Sequence, residues 1–178
     1  MKKIFCFMLA ALLVLTTLCA CDFKLPSFGR EVSASDAGEV ESPAEVWTPA
    51  ETEEEYIART QDKLGEFINT FTELSGETGR LSQLTSRKKV LADVKYTELS
   101  GKLTEWCSCA DSFTFASDDA EQAQQAGTLL RQLSGITEEY LGVFPDMMAG
   151  SYTGEKTLEE YETEIVDAAV ALFELVNQ

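Results

Sequence analysis

"TPAETEEEYIARTQDKLGEFINTFTEL", residues 48–74, decides the fold class. Thr48, Pro49 and Glu51 fall at the N-cap, first and third positions of a helix start, a capping box with a favoured proline. Glu51, Glu53, Glu54 and Glu55 crowd the first turns, where the helix dipole favours anions. Ile57, Thr60, Leu64, Phe67, Phe71 and Leu74 then recur at alternating steps of three and four. That spacing lines one face of a helix. The predicted helix runs over about 49–75, and Gly76 and Gly79 punctuate its end.

The same period returns three times downstream. One stripe is Ala92, Tyr96, Leu99, Leu103, Trp106, Ala110 and Phe113. The next starts near Ser117-Asp118 and carries Ala123, Ala126, Leu130, Leu133, Thr137, Tyr140, Phe144 and Met147. The last follows the capping box Thr157-Leu158-Glu159-Glu160, with Leu158, Tyr161, Ile165, Ala168, Leu172 and Leu175. Four seams of this kind pack at shallow crossing angles. The expectation is an all-α domain over 48–178, an antiparallel up-down four-helix bundle. Residues 77–88, "ETGRLSQLTSRK", read as loop or a broken turn, and Pro145 predicts a kink or a helix end before Gly150.

Upstream, Met1-Lys2-Lys3 and the uncharged run Ile4–Leu15 have the charge and length of an export signal. The run is short of the roughly 20 residues of a membrane span. "LTTLCAC", residues 15–21, then resembles the lipobox of bacterial lipoproteins through Leu18, Cys19, Ala20 and Cys21. Cys19 departs from the usual Ala, Ser or Thr, and it is small enough to fit. The resemblance implies a diacylglycerol thioether on Cys21 and cleavage of residues 1–20. Cysteine suits that position because its thiolate is the nucleophile that is alkylated. Two acyl chains anchor stably where one is marginal. The expected location is therefore the extracytoplasmic face of a cell membrane, with membrane lipid as the first partner.

Residues 21–47 keep no apolar period and are rich in Ser, Ala, Pro and Glu, so a disordered tether is expected. As a flexible coil its mean reach is about 30 Å. Trp47, at its end, is expected to pack against the domain rather than read a ligand. Lipobox, acidic tether and helical domain together resemble a group of small Gram-positive lipoproteins. The stretch nearest to that group is "VLADVKYTELSGKLTEWCS", residues 90–108. The resemblance bears on address and fold and implies no activity.

Without Lys2 and Lys3, 12 basic residues remain against 31 acidic ones, a net charge of about −19. A chain this acidic offers no face that releases counterions from nucleic acid. It contains no histidine, the commonest general base and metal ligand. Of five cysteines, Cys107 and Cys109 remain in the domain, too few for a zinc site and about 200° apart on one helix. They read as small semi-apolar residues. Glu138-Glu139 and Glu159-Glu160 are paired carboxylates, but a glycosidase needs such a pair across a cleft. No nucleophile elbow, zinc-protease or phosphate-loop motif is present. No enzyme, cofactor or metal is expected.

Two features remain as candidates for contact. Arg80, Arg87, Lys88 and Lys89 cluster beside the first turn, a basic tip on an acidic chain. Such a tip suits an envelope protein or an anionic wall polymer; its alternative is charge balance against acidic helix faces. Gly135 and Gly142, seven apart on one outward face, leave backbone bare to a partner helix or reflect loose packing. Met147-Met148 beside Phe144 read as core filler. The functional expectation is a membrane-tethered, non-enzymatic interaction or scaffold module; the alternative is a small-ligand-binding accessory lipoprotein of a transporter or sensor.

Overall fold

The computed structural model describes residues 47–115 and 120–178. Residues 1–46, with Leu18, Cys19, Ala20 and Cys21, lie outside the described residues, as does the expected helix start at Ser117-Asp118. Among the described residues five α-helices and one 3-10 turn form a helical bundle. They are α1 (Glu53–Leu81), α2 (Arg87–Leu91), α3 (Val94–Ser112), α4 (Glu121–Ala149) and α5 (Leu158–Val176), with the 3-10 turn at Ser82–Leu84.

The opening helix starts four residues later than its sequence suggests. Two Thr-x-x-Glu patterns follow one another there, and the second one caps: the Thr52 hydroxyl accepts from the Glu55 backbone N–H. Thr48, Pro49 and Glu51 stay outside the helix because tertiary contacts use that segment. Trp47 is buried, and Ala50 makes an isolated parallel bridge with Phe115. Arg59 Nη1 donates to the Thr48 carbonyl at 2.8 Å. The buried stripe then begins at Tyr56 rather than Ile57, because Tyr56 stacks on Phe113 with ring centroids 4.5 Å apart. From Thr60 to Leu74 the expected stripe is buried as read.

Gly76 and Gly79 do not end α1. Each costs about 1 kcal/mol against Ala in a helix, yet the helix continues to Leu81, which is fully buried. Burying a leucine returns about 1.5–3 kcal/mol, enough to offset most of the glycine cost. The segment expected as a loop or broken turn resolves into the end of α1, the 3-10 turn and α2. Ala92, assigned to the second stripe, is exposed; α3 starts after it, with the Asp93 carboxylate accepting from Tyr96 N–H at 3.0 Å. The rest of that stripe, Tyr96 to Phe113, is buried.

Helix α4 holds Pro145 within its last turns and stops at Ala149, where Gly150 takes the left-handed conformation (φ 70°) that favours glycine. Met148, not Met147, completes its buried face. Helix α5 has the expected capping box, with Thr157 and Glu160 each bonding the other's backbone N–H. Its stripe ends on Val176 rather than Leu175, and Leu158 is half-buried. Gly127 in α4 has a packing reason: a Cβ there would stand 3.0 Å from the Tyr56 hydroxyl.

Contacts between helix ends fix how the long helices lie. The Glu53 carboxylate of α1 accepts from Ala123 N–H in the first turn of α4. Gln122 of α4 donates to the Leu175 carbonyl, and Gln61 of α1 to Asn177 beyond α5. No buried side-chain polar atom among the described residues lacks a partner. No helix among them is long and apolar enough to cross a membrane.

Candidate interaction site

The four residues of the sequence-predicted tip lie at the C-terminal end of α1 and on α2, and the structure divides them by role. Arg80 is used internally. Its guanidinium grips both oxygens of Asp93, at 2.7 and 2.8 Å, and reaches Glu77 at 2.5 Å. The Asp93 carboxylate also caps α3, so one acid ties α1 to the start of α3. The Arg80 hydrogen bonds hold its pKa down at about 2, and the same contact raises that of Arg80. Arg87 pairs with Asp146 of α4 at 3.1 Å. Lys95 of α3 reaches back to Glu73 of α1 at 3.0 Å.

Lys88 and Lys89 are different. Both are exposed and neither has an ion pair among the described residues. They ride on α2, a helix of five residues pinned by the buried Val90. Beside them Leu91 is 43 % exposed and Val94 82 % exposed, the two large exposed aliphatics among the described residues. This α2 corner is therefore cationic and apolar at once. Sequence reasoning missed the aliphatic half, although the signal was there. Leu91 and Val94 flank Asp93 and fall outside the 3/4 stripe, so nothing in the core receives them.

The turn into the corner is strained. Thr85 adopts φ 52°, a left-handed conformation that a β-branched residue rarely takes. It reverses the chain between the 3-10 turn and α2, which puts Arg87 in reach of Asp146.

The other singled-out residues serve the bundle. Trp47 packs edge-on to Trp106 and Phe113, at 5.7 and 5.4 Å between centroids, as expected of it. A cleft of about 240 Å³ opens beside it over Phe67, Trp106 and Cys109. Cys107 and Cys109 are both buried, and neither is in a disulfide among the described residues. Burial pushes Cys107 up to about 12, far from thiolate chemistry at neutral pH. Cys107 Sγ donates to the Ser134 carbonyl, and Ser134 Oγ donates to that of Cys107, a reciprocal clasp between α3 and α4. Glu139 accepts from Tyr161 at 2.7 Å and Glu160 caps α5, so each glutamate pair spends one member on structure. Gly135 and Gly142 face outward with open space before them. No group of three or more potential metal ligands exists among the described residues.

One carboxyl is unlike the rest. Glu162 of α5 is mostly withdrawn from water and accepts from Ser75 of α1 at 2.9 Å and from Tyr140 of α4 at 3.4 Å. Burial raises its pKa.

No protein-family model, curated protein or solved structure matches the chain.

Proposed function

We propose that this protein is a lipid-anchored interaction module of the extracytoplasmic membrane face, non-enzymatic, held by acylated Cys21 and a tether over 21–47. Its domain over 48–178 is read as an antiparallel up-down four-helix bundle made of α1, α3, α4 and α5, with α2 as the corner piece. The Glu53 cap on the start of α4 and the Gln122 bond to the end of α5 support that topology. In this arrangement the described chain begins at Trp47, beside the N-terminal end of α1, and the α2 corner stands at the opposite end of that helix.

The observation that carries the reading is the α2 corner. An exposed aliphatic side chain alone is ordinary. Two of them beside two unpaired lysines, on a chain of net charge −17, form a local exception to the surface around them. An envelope protein or an anionic wall polymer fits that chemistry.

In-cell crosslinking tests the proposal. Copurifying species from the unaltered protein are compared with those from Cys21→Ser and from the Lys88→Glu, Lys89→Glu pair. The reading expects one specific species, lost in both variants. It fails if the corner variant retains every species that the unaltered protein enriches.

The cleft beside Trp47 favours a second reading, a small-ligand-binding accessory lipoprotein. Trp47 and Trp106 are the two tryptophans of the chain and both line the cleft, so an occupant would shift the fluorescence. A spectrum unmoved by envelope extracts of small molecules would remove this alternative.

A further inference from the structure

Seven of the ten cationic side chains among the described residues sit in ion pairs. The exceptions are Arg131, which lies against Gly127 near Tyr56, and the adjacent pair Lys88 and Lys89. A surface of complementary chemistry exists on the same chain. At the N-terminal end of α1 a shallow groove of about 390 Å³ is lined by Glu53, Glu54, Ile57, Ala58 and Val176 together with three glutamines. Glu54 is exposed and without an ion pair among the described residues, and Glu51 is exposed close by in sequence. One surface sets the exposed Val94 and the partly exposed Leu91 beside two basic side chains. The other is shallow and mixes aliphatic side chains with acidic ones.

The two cannot meet within one molecule. They lie at opposite ends of α1, whose 29 residues span about 43 Å at the helical rise. Between molecules they can. We propose that the α2 corner of one copy docks in the α1 N-terminal groove of a second copy. Val94 and Leu91 enter the groove, and Lys88 and Lys89 face the carboxylates of Glu53, Glu54 and Glu51. This inference rests on the reading of the α2 corner as an interaction surface and names its partner.

The geometry has consequences. A contact between unlike surfaces at opposite ends is heterologous, so it extends into open rows of copies unless the rotation between copies closes a ring. Exposed ion pairs contribute modestly and are screened by salt, so the contact is weak in dilute solution and weaker still at high ionic strength. Tethering to one membrane raises the local concentration of partners and offsets that weakness.

The test uses the full chain in detergent, as an equal mixture of normal and 15N-labelled protein. A carbodiimide joins a lysine amine to a carboxylate as an amide, with loss of water. Mixed-isotope crosslinked peptides report contacts between copies. Sedimentation velocity over a concentration series reports assembly independently. The expected result is mixed-isotope peptides joining Lys88 or Lys89 to Glu51, Glu53 or Glu54, with a concentration-dependent rise in sedimentation that falls several-fold in 1 M salt. Lys88→Glu with Lys89→Glu abolishes the rise, as does Glu51→Lys with Glu54→Lys. A chain carrying all four substitutions regains it. Circular dichroism checks that each variant keeps its helices, and Glu53 is left unaltered because it caps α4.

A chain that stays monomeric throughout the series overturns the proposal, as does failure of the fourfold variant to restore assembly. If the purified chain is monomeric while the corner still crosslinks to another envelope species in cells, this inference falls and the interaction-module reading stands. If the corner substitutions change neither assay, both fall.

Discussion

The two ends of α1 share a buried core and differ in what surrounds it. At the N-terminal end, Trp47, Tyr56, Trp106 and Phe113 pack ring on ring, all buried. Arg59 closes that cluster, with its guanidinium 5.1 Å from the Phe113 ring centre. At the C-terminal end, Leu81, Val90 and the stacked Tyr96 and Phe144 are buried too, and three ion pairs between helices are added: Arg80 with Asp93, Arg87 with Asp146 and Lys95 with Glu73. Aromatic burial follows the area removed from water and barely responds to salt. Half-exposed ion pairs respond to salt and pH and are individually weak. The difference teaches where salt and pH reach the packing: the α2 corner sits at the end that carries the interhelical ion pairs.

The largest effect that separates the ends is expected from Phe113→Ala. It removes the ring that Trp47, Tyr56 and Arg59 share. The expected loss is about 3–5 kcal/mol in urea unfolding, unchanged between low and high salt. Asp93→Ala at the other end is expected to cost about 1–2 kcal/mol, chiefly the lost cap of α3. Its cost should shrink in salt; a cost as large and as salt-independent as that of Phe113→Ala would erase the distinction drawn between the ends. Thr85→Gly relieves the left-handed strain and is expected to stabilise by up to about 1 kcal/mol.

Acid and alkali sharpen the comparison further, because Asp93 and Glu162 pull in opposite directions. The folded-state pKa of Asp93 is depressed to about 2. Its contribution is therefore present above the ordinary aspartate value and is lost as pH falls through about 2. Glu162 has a raised pKa, so the folded state keeps a proton that the unfolded state has already released. Its contribution is full below the ordinary glutamate value and is lost as pH rises through the raised one. Glu162→Gln keeps acceptors for Ser75 and Tyr140 and removes the titration. The variant is expected to show a flatter stability curve on the alkaline side of the ordinary glutamate pKa, measured as urea midpoint against pH. A curve that keeps its slope would show that the Glu162 carboxyl does not titrate in the way its burial implies. The smallest effect is expected from Lys88→Glu with Lys89→Glu, within about 0.5 kcal/mol of unaltered stability, since neither lysine has an ion pair to lose.

The helices themselves were readable because an apolar period of 3.6 is a local property. Leu64, Phe67, Phe71 and Leu74 announce their face by spacing alone, and the Thr157 capping box needs only four residues to be recognised. Boundaries were less readable. The sequence points to Thr48 as the cap, and the structure caps at Thr52 instead, because Trp47 and Ala50 have partners some 60 residues away. Gly76 and Gly79 look like a stop until Leu81 finds the core. The candidate site was half legible. A cluster of four cations is visible in the sequence, but which of them are spent on Asp93 and Asp146 depends on helices that meet only in three dimensions.

What the sequence determined by itself was the all-helical class, the faces of the long helices and the strong acid excess, because these follow from spacing and composition along the chain. Tertiary structure alone decided that Arg80 and Arg87 are braces while Lys88 and Lys89 face water with Leu91 and Val94. A charge has no direction in a sequence. It acquires one when packing sets what lies within 4 Å of it, and at the α2 corner that selection leaves two lysines without an ion pair among the described residues, beside the exposed Val94 and the partly exposed Leu91.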